Sequence, residues 1–268
     1  MRTRWRNRLL TTGLPGLAAL ALVSGCASLD PNGKEAIAAR AAVEATAQQN
    51  GAPLRLARAA RGVGDYQGAI GLYKSIIAAT PSDTDSEVEL GETELEAGQV
   101  DDAVATFQAV PAASKSALGA QLGMERASLM LSQPQKALSY ADAAAILDPK
   151  NIRVFIGRGV ALDMLGRHAE AQASYRSALA IAPSDVAGRS DLALSLAMTG
   201  QFDEAIAIET PLARAPNATP RLRQNLALIY GLKGDTSAAR TLSLVDLDAK
   251  AVADNLKFFA LARAKEGK

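Results

Sequence analysis

The sequence holds almost no thiol, imidazole or indole: one cysteine (Cys26), one histidine (His168) and one tryptophan (Trp5) in 268 residues. A single cysteine cannot close an internal disulfide, so a stapled fold is excluded. A metal site built from Cys and His needs several such ligands, and general acid–base chemistry needs a positioned pair of titratable groups. Aromatic residues are also scarce, at 4%, so the 49% apolar content leans on alanine. Alanine is the best helix former and a small packing unit, which predicts closely packed helices. An excess of charge of one sign is missing as well. The formal net charge is +1, and Arg2, Arg4, Arg6 and Arg8 all precede Cys26 with no acid among them. Without residues 1–25, 25 basic side chains face 28 acidic ones, a net of −3, which leaves no electrostatic footprint for nucleic acid. The length fits one or two domains.

A membrane-spanning run is lacking too. The apolar stretch Leu9–Val23 falls short of the roughly 20 residues that cross a bilayer. With its arginine-rich head it has the form of a secretory signal peptide. It ends in "LVSGCAS" (Leu22–Ser28). The order aliphatic, small, glycine, cysteine resembles the lipobox of bacterial lipoproteins. That resemblance implies cleavage before Cys26, diacylglycerol on its sulfur and acylation of the new amino terminus, with fatty acids such as palmitate. Two or three acyl chains anchor stably where one is marginal. Ala27, rather than aspartate, follows the cysteine, which under the usual sorting rule implies the outer membrane. Residues 1–25 are therefore expected to be the signal peptide, and residues 26–50 the lipidated terminus and tether, with a turn at "DPNGK".

Downstream the chain repeats. Ala69, Ala103, Ala137, Ala171, Ala205 and Ala239 are spaced by 34 residues. Five residues before each stand Gly64, Gly98, Ser132, Gly166, Gly200 and Gly234. A period of 34 resembles the tetratricopeptide repeat, a helix–turn–helix unit. The glycine ends the first helix where a left-handed residue is needed. The alanine sits where the two helices cross, and a larger side chain there would push them apart. Pro81, Pro149 and Pro183 stop the second helix of three units. The expected fold is all-α: a right-handed superhelical solenoid of about six repeats, near 50–83, 84–117, 118–151, 152–185, 186–219 and 220–248. The array as a whole spans 51–248, and a capping helix and tail follow at 249–268. Pro111 and Pro211 should shorten or kink their helices. Leu256, Phe259 and Leu261 are expected to cover the open end of the stack, as such arrays require.

No constellation points to catalysis. His168 fills the bulky slot that Tyr66 and Phe202 occupy in other units, which favours packing. Gly62 and Gly64 lack the "GK[ST]" of a phosphate loop. Asp101 and Asp102 open a second helix, where negative charge suits the helix dipole. The sequence therefore predicts no enzyme, cofactor, metal, nucleic acid or small-molecule substrate. What remains is the surface of the first helices, which lines the concave side of such a stack. The candidate groove positions are Arg126, Arg153, Ile156, Val160, Asp163, Ser190, Asp191, Leu194, Gln224, Asn225 and Leu228. This mixture of apolar and charged side chains of both signs suits a peptide or helix of another protein.

Three longer stretches are informative: "RGVALDMLGRHAEAQASYRSAL" (158–179), "DLALSLAMTGQFDEAI" (191–206) and "TPRLRQNLALIYGLKGD" (219–235); "RQNLALIYGLKGD" (223–235) followed by "DLDAKAVADNLKFF" (246–259) is the part that a generic repeat would not supply. Together with the lipobox they resemble the tetratricopeptide lipoprotein of the tight-adherence (Flp) pilus assembly system, the TadD family. The resemblance is strongest over residues 150–260. It implies an outer-membrane lipoprotein facing the periplasm that helps assemble or localise the pilus secretion machinery, with the outer-membrane secretin as a partner. Two rivals remain. One is a general envelope adaptor that recruits a peptidase or cell-wall enzyme. The other is an enzyme of lipid or wall metabolism, with a carboxylate pair such as Asp163 and Asp191 across the groove.

Overall fold

A computed structural model of the chain describes residues 51–266, with side chains through Ala264. The signal peptide, Cys26 and the tether therefore lie outside the described residues. Thirteen α-helices and no strand occur among those described. Twelve of them form six antiparallel pairs. The first helices are α1 (Ala52–Gly62), α3 (Thr84–Glu96), α5 (Ala117–Met130), α7 (Ile152–Met164), α9 (Val186–Met198) and α11 (Pro220–Lys233). Their partners are α2 (Tyr66–Ala79), α4 (Val100–Ala109), α6 (Pro134–Leu147), α8 (His168–Ile181), α10 (Phe202–Ala213) and α12 (Thr236–Ser243). The last helix, α13, runs from Ala249 to Glu266.

Every pair turns in the same way. Gly64, Gly98, Gly166, Gly200 and Gly234 have φ between 73° and 102°. The residue after each turn position donates its N–H to the carbonyl five residues back, as in Asp65→Ala60, Gln99→Glu94 and Arg167→Leu162, at 2.8–2.9 Å. This is the Schellman closure of a helix C-terminus. The third turn makes the same bond, Gln133→Ser128 at 2.8 Å, although Ser132 stands in the glycine's place at φ 55°. The turn geometry is thus set by the packing of the two helices, and Ser132 bears the cost of a Cβ in the left-handed region.

Each of the six alanines is fully buried. A second register at the same period mixes large and small side chains. Tyr73, Phe107, Ala141, Tyr175, Glu209 and Ser243 each lie four residues after a repeated alanine. The Phe107 ring lies so close to Gly91 of its own pair and Gly123 of the next that a Cβ at either would stand 2.6 Å or 2.3 Å from it. Tyr175 packs on Gly159 in the same way, at 2.4 Å. Ring into glycine is how a chain with few aromatics closes its helices tightly.

The prolines act as local breaks. Helix α4 ends at Ala109, two residues before Pro111, and its truncated end borders a cavity of about 350 Å³ between Phe107, Val110, Met124 and Tyr140. Helix α10 carries Pro211 inside its last turn and ends two residues later. Successive first helices α3, α5, α7, α9 and α11 touch one another, whereas second helices of successive pairs make no comparable contact. A stack whose first helices lie closer together than its second helices curves with the first helices inside.

Helix α13 packs on α11 and α12. Val252 and Phe259 are buried, and the Phe259 ring sits against Gly231, where a Cβ would lie 2.2 Å away. Arg263 donates to the Gly231 carbonyl. Leu261, expected to cover the stack, instead is 65% exposed. The cause is angular: two residues on a helix subtend about 200°, so Leu261 faces away from Phe259. The covering stripe is Val252, Leu256, Phe259 and Arg263.

Candidate protein-binding groove

The inner surface divides into two chemically distinct parts. Toward the N-terminus it is an ion-pair lattice between first helices. Arg58 of α1 pairs with Glu89 of α3, and Glu89 also accepts from the Tyr73 hydroxyl at 2.8 Å. Burial alone would raise the Glu89 carboxyl, but the Arg58 and Tyr73 donors outweigh it and hold Glu89 below the ordinary carboxylate range. Arg61 grips Glu96 through two bonds of 2.8 and 2.6 Å, which lowers Glu96 likewise. Glu92 is the hub: Arg126 of α5 bonds to it, Arg153 of α7 lies at 3.5 Å and Arg61 at 3.9 Å. Four first helices are tied through one carboxylate. Arg126 and Arg153 thus act chiefly within this lattice. Its acidic members were not legible in the sequence, because their partners lie about one repeat away and carry no local pattern.

Beneath this lattice Glu125 is 3% exposed. It lies against Gly157, whose Cβ would fall 2.6 Å from its carboxyl. Its Oε1 has no hydrogen-bond partner among the described residues. Burial pushes its carboxyl up to about 7, against the pull of Arg126 and Arg153.

Toward the C-terminus the surface opens into a pocket of about 250 Å³ between α7, α8 and α9. Val160, Met164, Leu194 and Met198 form its walls, and Asp163, Tyr175, Asp191 and Ser195 line it as well. Asp163 is held by three donors: His168 Nδ1 and Ser195 Oγ, each 2.8 Å from Oδ1, and the Tyr175 hydroxyl, 3.0 Å from Oδ2. His168 therefore locks the turn between α7 and α8 to the groove floor. Asp191 meets Arg221 at 3.3 Å. Burial pushes Asp191 up to about 6; Arg221 opposes this, while Asp163 and Asp185 add to it. Burial, with Asp163 and Asp191 beside it, pushes the Tyr175 phenol up as well.

The remaining sequence candidates separate by how they spend their polar atoms. Ser190 is buried, donates to Glu209 and accepts from Asn225, both at 3.0 Å. Gln224 donates to Asp246 at 3.2 Å. These three serve internal bonds rather than an open face. Ile156 lies near Gly188 at the α7–α9 contact, and Leu228 is half-buried on α11. The structure brings together Val160, Asp163, Asp191 and Leu194 as one pocket and leaves Gln224, Asn225 and Leu228 outside it. Met164, Tyr175, Ser195 and Met198 complete it and were not among the sequence candidates for the groove. Among the described residues, no group of three or more His, Cys, Asp or Glu could hold a metal ion, and no helix is long and apolar enough to cross a membrane.

Two family models, both described as tetratricopeptide repeat, match the chain. One covers residues 60–122 and 164–229 and the other 126–186, together more than half of the sequence. No curated protein matches it. Among solved structures, a thermophilic tetratricopeptide repeat protein of Thermus thermophilus is 26% identical. The match covers 68% of this chain and 97% of that one, with a TM-score of 0.59. A tetratricopeptide repeat protein from Parabacteroides merdae is 15% identical over 80% of this chain and 99% of that one, TM-score 0.58. The Cut9–Hcn1 hetero-tetramer of APC/C is 15% identical over 77% of this chain and 42% of that one, TM-score 0.68. At 15% identity the last two speak to the fold alone.

Proposed function

The chain belongs to the tetratricopeptide repeat family, and from that premise we propose that it is a lipid-anchored periplasmic scaffold for the Flp/Tad pilus secretion machinery. It acts by holding a partner protein and not by catalysis. The observation that carries the binding role is the inner layer of first helices, with a charged lattice at one end and an open pocket at the other. Such a layer presents a long concave surface to an extended or helical segment. Support for the pilus assignment comes from the stretches 158–179, 191–206 and 219–235. Support for the anchor comes from the lipobox resemblance at Cys26. Acylation of Cys26 would confine the scaffold to the outer membrane and raise its effective concentration for partners there, the secretin among them.

The test is piliation. In a piliated host, Cys26→Ser should yield a periplasmic, unanchored protein and loss of surface pili. Normal piliation in that variant would overturn the role of the anchor. Normal piliation after deletion of the whole gene would overturn the pilus assignment and favour the general envelope adaptor.

A further inference from the structure

The pocket between α7, α8 and α9 is apolar at its walls and acidic at its floor. Asp163 and Asp191 both reach it, and buried Glu209 stands behind Ser190, raised by its burial and by the nearby Asp191 charge. Facing these acids, His168 contacts Asp163, and Arg189 acts on Glu209 at longer range. Arg221 touches Asp191 through a side chain that is 72% exposed. Among the described residues Asp163 has three donors, whereas Asp191 has this one, on an exposed side chain, and Asp163 and Asp185 repel it. The positive charge at the floor of the pocket is thus the guanidinium of Arg221, carried on an exposed side chain that can be displaced.

We propose that this pocket takes the side chain of a lysine or arginine carried by a segment of the partner protein. Such a side chain matches both features at once. Its methylene stem lies along Val160, Met164, Leu194 and Met198, and its cationic head meets Asp191 beside Asp163, as long basic side chains do at the border of apolar and polar surface. The head displaces or shares the Arg221 guanidinium. An acidic side chain would add a third negative charge. A purely apolar one would strip water from Asp191 and return no hydrogen bond. The lattice near the N-terminus does not offer this chemistry, because Glu89, Glu92 and Glu96 are already engaged by Arg58, Arg61, Arg126 and Arg153 and Glu125 is buried beneath them. The inference rests on the groove being the partner's seat.

The experiment is selection from a phage-displayed random peptide library on the full chain held in detergent. It is run in parallel on Asp191→Asn and on Met198→Lys. Met198 is an exposed rim residue, so a lysine there leaves folding intact, checked by circular dichroism, and places a competing cation at the pocket. The expected result is enrichment of Lys or Arg at one peptide position by about tenfold or more, the scale of one charge-assisted bond. That enrichment should return to background in both variants. Enrichment of acidic or apolar residues at that position, or a basic preference that both variants retain, overturns the pocket assignment and leaves the scaffold reading standing. No enriched sequence on the wild-type chain overturns both.

Discussion

Glu125 makes the stability of this array depend on pH. Its carboxyl is buried between α5 and α7 against Gly157, with one oxygen unbonded among the described residues, and burial pushes it up to about 7, compared with 4.5 for the free group. Between those two values the folded chain holds a proton that the unfolded chain has already released. Stability therefore falls as pH rises through the window from 4.5 to about 7, and the loss is complete above it. At about 1.36 kcal/mol per unit, a shift of that size corresponds to about 3 kcal/mol. Glu125→Gln keeps the shape and abolishes the titration. Urea unfolding of both proteins from about pH 4.5 to about pH 8 should show equal stability at the acid end and an advantage of about 3 kcal/mol for the variant at the alkaline end. Asp191 and Glu209, also raised by burial, and Glu89 and Glu96, lowered by their arginines, are common to both proteins and cancel in the difference. A variant less stable than wild type at the alkaline end would refute the reasoning: it would mean that Arg126 and Arg153 stabilise an ionised Glu125. A difference independent of pH would refute it equally.

Other perturbations follow from the fold. Ser132→Gly should stabilise the third pair by about 1 kcal/mol, because it removes a Cβ from a φ of 55°; unchanged denaturation midpoints would show the turn to be unstrained. Phe259→Ala should cost about 4 kcal/mol, the usual range for a buried ring, and should speed hydrogen exchange in α11 and α12. Leu261→Ala, at an exposed position, should change little, and equal effects of the two would contradict the assignment of the capping face.

The parts of the fold legible in the sequence are those dictated by backbone and volume. Glycine at a left-handed turn and alanine at a helix crossing recur because the same steric problem recurs every 34 residues. Pro111 and Pro211 announced short helices because proline cannot donate. The groove was legible only in part. Val160, Asp163, Asp191 and Leu194 do meet, but Ser190, Gln224 and Asn225 turn inward, because their partners Glu209 and Asp246 come from elsewhere in the array. The lattice around Glu92 has the same origin: Arg61 and Arg126 lie about one repeat on either side, and nothing local marks them as a pair. Ser132 shows the converse, since a non-glycine residue holds the glycine's geometry once the helices on both sides fix it.

The central claim is that the inner layer of first helices holds a component of the pilus machinery. A photo-crosslinking amino acid placed at Val160, on the pocket wall, in piliated cells tests it most directly, with the same probe at Ile146, an exposed residue of α6, as the control. An adduct with the secretin or another pilus-assembly protein is expected from Val160 and none from Ile146. Equal adducts from both positions, or none with any pilus component from Val160, would contradict it.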